Sequence, residues 1–326
     1  PGLTIETFHE AVRRNDPMLR EKLGTAIGES DPTIASINGA FAEDGLVLRI
    51  SSGTQIEQPI HLMLENKAGE PMAIHTRHLV VVEDGAQVTI LETHSGEGAY
   101  QSSSVVEFII GEGARVEHVK LQHESLDATH LALLSARLAA RAELSTFTLS
   151  PGAALARNQV EVRFDGEGGK LDANGAMLLR GNQHSDATLF IDHAVPECTS
   201  SQVYKTVLDG AGRGVFQGQV LVRPHAQKTD GRQSSRALLL SPKAEMDSKP
   251  QLEIYADDVQ CAHGSTTGEL DPDLMFYLRA RGIPEKQAKA LLIQAFIADA
   301  MDQVHNEDVL ALLHGMGQRW LAEEGV

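Results

Sequence analysis

Cysteine is nearly absent from this chain, with Cys198 and Cys261 the only two in 326 residues. Two thiols cannot build a disulfide framework, and such usage suits a reducing compartment, so a cytoplasmic location is expected. Aromatic residues make up only 4%, with a single tryptophan. A sandwich or helical enzyme of this size usually fills its centre with several large rings. Basic side chains are also in deficit: 28 Lys and Arg stand against 45 Asp and Glu, a formal charge of −17. That balance excludes a nucleic-acid or anionic-membrane surface, whose phosphates it would repel. Apolar runs fall short of the ~20 residues that a membrane-spanning helix needs. The opening Pro1-Gly2-Leu3-Thr4 has neither a signal-peptide pattern nor an initiator Met, as expected of a processed form or a fragment.

What the chain has instead is 29 glycines and a 42% hydrophobic content, rich in small and branched side chains. The first ~30 residues read as a weak helix, with Phe8, Val12, Leu19 and Leu23 roughly on one face and Asp16-Pro17 interrupting. From Gly45 the period shortens. Leu46–Ile50, His61–Leu64, His78–Val82, Gln87–Leu91, Val105–Ile110 and Val116–Leu121 are strand-like runs between turn residues. Leu144–Leu149, Val160–Phe164, Val220–Val222 and Leu252–Tyr255 continue the series. Gly85-Ala86 and Gly113-Ala114 lie 28 residues apart (114 − 86), Ala142 follows after another 28, and Gly169 after 27. Small residues at such a period mark corners where bulk would collide with the next layer. A β-solenoid explains the rhythm; chance recurrence and a β-sandwich are the competing accounts.

After Gly268 the pattern becomes helical. Asp271-Pro272 is an N-cap with proline at the first helical position, Gly282 a stop, and Asn306 a cap for a last helix. The expected organisation is a helical lead over 1–40, a β body over 41–268 and a helical piece over 269–326.

Nucleotide and hydrolase signals are missing. Gly166-Glu167-Gly168-Gly169-Lys170-Leu171 lacks the spacing and the hydroxyl of a phosphate loop, and Gly210-Ala211-Gly212 reads as a turn. His123-Glu124 has no second histidine four residues on, and the fourteen histidines are expected mostly at solvated strand ends and turns. Cys261-Ala262-His263 stands apart. In an extended segment Cys261 and His263 project from one face, a partial site for a borderline metal such as iron, or else a small thiol beside a hydrogen-bonded histidine.

The surroundings of that pair carry a resemblance. Ser200-Ser201-Gln202-Val203-Tyr204-Lys205-Thr206-Val207-Leu208-Asp209-Gly210 begins it, followed by Gly214-Val215-Phe216-Gln217-Gly218 and His225-Ala226-Gln227-Lys228-Thr229-Asp230-Gly231. Lys249-Pro250-Gln251-Leu252-Glu253-Ile254-Tyr255-Ala256-Asp257-Asp258-Val259 then leads through Cys261-Ala262-His263-Gly264 to Phe276-Tyr277-Leu278-Arg279-Ala280-Arg281-Gly282-Ile283. This ordered series resembles the SufB/SufD family, scaffold proteins of SUF iron–sulfur cluster assembly, and the Gly264-Ser265-Thr266-Thr267-Gly268 that follows His263 is its SufD-like form. The resemblance implies a right-handed parallel β-helix flanked by helices, and a scaffold rather than an enzyme. It also implies pairing with a SufB-like paralogue and docking of the SufC ATPase through Phe276, Tyr277, Ile283, Leu291, Leu292 and Phe296. His263, with Cys261 as neighbour, would serve a transient iron or nascent cluster shared with SufB, with no cofactor held tightly. The alternatives are a self-associating module, which would form a homodimer, and a solenoid carbohydrate-active enzyme, which the few aromatics disfavour.

Overall fold

The computed structural model describes residues 2–28, 32–67 and 71–323. Strands β1 (Leu3–Thr7) and β2 (Leu46–Ile50) enclose helices α1 (Phe8–Arg14), α2 (Pro17–Lys22) and α3 (Thr33–Phe41). Then come β3 (Ile60–Asn66), β4 (Ala73–Val82), β5 (Gln87–Gly96), β6 (Gln101–Ile110), β7 (Arg115–Glu124), β8 (Thr129–Leu138), β9 (Glu143–Ser150) and β10 (Leu155–Phe164). β11 (Lys170–Leu179), β12 (His184–His193), β13 (Thr199–Leu208), β14 (Arg213–Val222), β15 (Asp230–Leu239), β16 (Glu245–Ile254) and β17 (Gln260–Gly268) complete the β body. Helices α4 (Pro272–Ala280), α5 (Glu285–Met301) and α6 (Glu307–Glu323) follow.

Alternate strands build two sheets. One runs β1-β2-β4-β6-β8-β10-β12-β14-β16 and the other β17-β15-β13-β11-β9-β7-β5-β3. Successive strands within each sheet are parallel, apart from the antiparallel β1–β2 pair. The result is a β-solenoid of about 8 turns, with helices at both chain ends. The β-sandwich alternative therefore falls.

The corner rhythm has a more specific cause than collision alone. Gly85, Gly113, Arg141, Gly168, Glu197 and Lys228 occupy equivalent corner positions and all have φ between +56° and +72°. Glycine reaches this left-handed region without strain, but the chain also tolerates other residues there. The space a Cβ would need at Gly85 or Gly113 is open. Bulk is restricted one residue later, where Ala86, Ala114, Ala142, Cys198 and Thr229 are all buried as one column against the core.

Strands β4–β8 and β10–β16 are each ten residues long where the sequence suggested shorter runs, because each coil pairs along its whole length with the next. Their inward residues divide the lumen lengthwise. Near the Ala86 corner it is apolar, filled by side chains such as Val82, Ile90, Phe108, Phe164 and Leu171. Toward the opposite corner, in the early coils, it is polar. The inward residues of β7 show the change in order: Val116, His118, Lys120, Gln122 and Glu124, all buried. The histidine expectation holds for most of the fourteen but fails for His78, His94, His118, His130 and His193, which are buried.

The N-terminal lead also differs from its reading. Leu3–Thr7 is strand, because the edge of β2 offers unpaired backbone groups that an antiparallel segment satisfies. Phe8 and Leu19 are buried as expected, whereas Val12 faces solvent. Asn15 in the left-handed region ends α1, and Asp16 caps α2 by accepting from the Leu19 N–H at 3.0 Å. The segment is held on the nine-stranded sheet by buried charge. Glu107 accepts from Arg77 Nη2 at 2.6 Å and from the Gly24 N–H at 2.8 Å. The C-terminal helices cover the other sheet by apolar contact, with Ile293, Ile297, Leu313 and Trp320 clustered with Phe147, Leu178 and Val207.

Candidate functional site at the last coil

The solenoid is uncovered where β16 and β17 form its last coil. Inward positions of the middle strands are buried, but those of β16 are only half-buried, and most residues of β17 are exposed. β17 pairs with β15 on one side, in a register that sets Cys261 beside Gly231 and His263 beside Gln233. Its other edge carries no strand among the described residues.

β17 is extended, so Cys261, His263 and Ser265 share its inner face. Ser265 Oγ donates to Ser248 Oγ of β16 at 2.8 Å, which ties the two walls of the coil together. Cys261 packs against the apolar core and is half-buried, while His263 is exposed. Burial, the largest influence, pushes the Cys261 thiol above its ordinary value, partly opposed by the Gly231 N–H. Alone, this position therefore holds a thiol, and a bound cation is what would favour its thiolate. Cys198 is elsewhere, fully buried in the corner column with its Sγ 3.4 Å from the Pro196 carbonyl, and burial raises its thiol too. Strand β15 separates β17, which holds Cys261, from β13, which Cys198 precedes, so the structure brings together Cys261 and His263 but not the two thiols.

Sequence reasoning did not single out the column behind His263. Ala173, Gln202, Gln233 and His263 stack in register from coil to coil. Both glutamines are buried, and neither amide has a hydrogen-bond partner among the described residues. An unsatisfied buried amide costs about 1–3 kcal/mol, so this pair is held against its own hydration. The signal that could have revealed them is the period-two spacing of Gln202 with Tyr204 and of Gln233 with Gly231.

The six residues named for SufC docking differ in exposure, and one of them, Ile283, lies between α4 and α5. Phe276 and Tyr277 are 74% and 54% exposed, and α4 buries none of its residues. Asp271 caps this helix as expected, accepting from the Asp273 N–H at 2.8 Å, and the Arg281 guanidinium lies 3.5 Å from the centre of the Tyr277 ring. Leu291 is exposed, while Ile283 and Leu292 are half-buried. Phe296 packs onto the solenoid beneath Lys205 Nζ, 4.7 Å from its ring centre, and Lys205 is paired with Asp299 at 2.7 Å.

Against known proteins, the family model of the SUF system FeS cluster assembly SufBD core domain matches residues 63–296, from β3 into α5. This chain belongs to the SufBD family. It is 32% identical over 286 residues to the iron–sulfur cluster assembly protein SufD of Escherichia coli, covering 86% of this chain and 68% of that one. It is 33% identical to a SufBD family protein of Synechocystis, covering 87% of this chain and 66% of that one. SufD of Bacillus subtilis is 26% identical, with 94% and 71% covered. The chain thus spans about two thirds of the length of the first two SufBD relatives. The last coil, with Cys261 and His263, lies wholly inside the SufBD match. No helix among the described residues is long and apolar enough to cross a membrane.

Proposed function

We propose that this SufBD family member is a non-enzymatic scaffold subunit of iron–sulfur cluster assembly in the cytoplasm, which joins a SufB-like paralogue through its last coil. His263, with Cys261 as neighbour, contributes to a transient iron or nascent-cluster site at that seam. The exposed residues of α4 and early α5 (Phe276, Tyr277 and Leu291) dock a SufC-type ATPase, with Ile283 and Leu292 beside them. Phe296 supports that surface from beneath.

The observation that carries this reading is β17, an edge strand with an uncovered inner face bearing a thiol and an imidazole two residues apart. Such an edge is a hazard in a lone protein and an asset to one that continues its sheet into a partner. Two protein ligands are too few to hold iron tightly, which fits a site completed by a second chain. Co-expression with the SufB and SufC counterparts, followed by iron and sulfide analysis of the purified complex, tests it. A stable complex whose iron loading falls on His263→Ala is expected; an intact complex with unchanged loading overturns the role of His263. The free edge of β17 also supports a second reading, in which two copies pair through it. Sedimentation of the isolated chain decides this: a single-chain mass eliminates the homodimer.

A further inference from the structure

A second set of ligand-type side chains converges in the polar half of the lumen, far along the chain from Cys261 and His263. Glu124 Oε2 lies 2.7 Å from His130 Nδ1 and accepts from Gln122 Nε2 at 2.9 Å, Glu124 Oε1 accepts from Ser102 Oγ at 2.7 Å, and Ser102 Oγ is also 2.8 Å from His130 Nδ1. Lys120 Nζ holds the other nitrogen of the His130 ring, 2.8 Å from Nε2, and donates to Asn158 Oδ1 at 3.0 Å. His94 lies edge-on to His130 with ring centres 4.7 Å apart, and its Nε2 contacts Glu92 Oε1. The second oxygen of Glu92 bonds His118 Nε2 at 2.9 Å. One ligand atom from each of His94, Glu124 and His130 lies within 4.8 Å of the other two, and all three residues are buried.

We propose that His94, Glu124 and His130 form a binding site for a first-row divalent cation, iron(II) or zinc(II). Two imidazoles and a carboxylate suit these ions, whereas magnesium and calcium prefer all-oxygen sets. The supporting residues are those a metal site requires. Glu92 on His94 Nε2 orients that ring and leaves Nδ1 as the lone-pair nitrogen, and Gln122 and Ser102 fix the carboxylate of Glu124. Fixed charge points the same way, because the buried carboxylates of Glu92 and Glu124 share the ammonium of Lys120. A cation on His130 Nδ1 would displace the proton that nitrogen carries; Lys120 would then pass a proton to Nε2, so that the ring stays neutral and one proton is released in all.

The site is also reachable and has room for a further ligand. His94, Ser102 and Glu124 border a cavity of about 310 Å³ beneath the first coil, which His78 also lines. His78 Nδ1 accepts from the Leu46 N–H at 3.2 Å, so the ring proton sits on Nε2. That buried Nε2 has no partner among the described residues, and it is a donor for a metal-bound water or another oxygen ligand.

These residues lie on other strands than the seam, so the two proposals fail separately. The full chain, stripped with chelator and desalted, is titrated with iron(II) without oxygen and, in parallel, with zinc(II); cobalt(II) serves as the optical probe. Retention of one equivalent of either ion per chain is expected, with a cobalt spectrum lacking a thiolate charge-transfer band. Glu124→Gln, close in shape to the original, removes that equivalent; Glu92→Gln weakens binding about tenfold. Cys261→Ser combined with His263→Ala leaves the equivalent in place. No retained ion, a thiolate band, or undiminished binding in a folded Glu124→Gln protein overturns the proposal. Should Glu124→Gln not fold, the stoichiometry and spectrum of the unaltered chain decide.

Discussion

The middle coils and the last coil are built from the same repeat, yet they differ in what covers them. Around Phe164 every inward position meets a coil above and a coil below, and the ring is fully buried, 4.6 Å from the ring centre of His193. On β16 and β17 the same positions meet a coil on one side only, and Leu252, Ser248 and His263 stay at least partly exposed. The stability of a solenoid layer is a nearest-neighbour property, so a terminal layer has about half the contacts of an inner one. The difference separates a structural region from one able to accept a partner.

The largest effect should come from the middle. Phe164→Ala is expected to cost about 3–5 kcal/mol in urea unfolding, the loss typical of a large side chain removed from a packed core. Leu252→Ala, on the half-buried face of β16, should cost about 1 kcal/mol. Equal losses at the two positions would erase the contrast.

Next in size is a pH effect confined to the middle. Burial, opposed by Asp192, pushes His193 from the usual 6.5 down to about 4, while Ser200 Oγ lies 2.9 Å from its Nε2. The folded state then binds fewer protons than the unfolded state between those values. Its contribution is complete above pH 6.5 and is lost as pH falls toward 4, by up to roughly 3 kcal/mol. Denaturant titrations at pH 7 and pH 4.5 should show this loss together with those of His78 and His130, which burial also pushes down to about 4, and His193→Gln should remove its own share; an undiminished loss in that variant would show that His193 does not contribute.

Hydrogen exchange sharpens the comparison locally. Amides of β17 should exchange close to the rate of an open edge, and those of β11 only through global unfolding. Protection of β17 on adding a SufB-like partner would identify the covered end, whereas β17 amides as slow as those of β11 in the isolated chain would mean that the end is already covered. The smallest effect is expected for His263→Ala, within about 0.5 kcal/mol of the parent stability because the side chain is exposed. A larger loss would make His263 part of the packing.

Much of the fold was readable because it is repetitive. The column from Ala86 to Ala142 and the caps Asp271 and Asn306 express local rules, which act over a few residues or over one fixed period. The Cys261–His263 pair was readable for the same reason, as period-two alternation needs only an extended segment. The strand β1 was not, since Leu3–Thr7 is extended only because the edge of β2 lies beside it. The buried histidines were also missed. Whether His94 or His130 faces water depends on which half of the lumen its coil position reaches, and neighbours in sequence do not state this.

The sequence by itself therefore determined the layered architecture, its corners, the helical termination and the family, because a stacking period and small corner residues are one-dimensional information. Tertiary structure alone decided that His94, Glu124 and His130 would meet, and that Gln233 would lie behind His263. Residues about one coil apart in the chain become neighbours only when parallel strands set the register, and burial there fixes their charge and their partners.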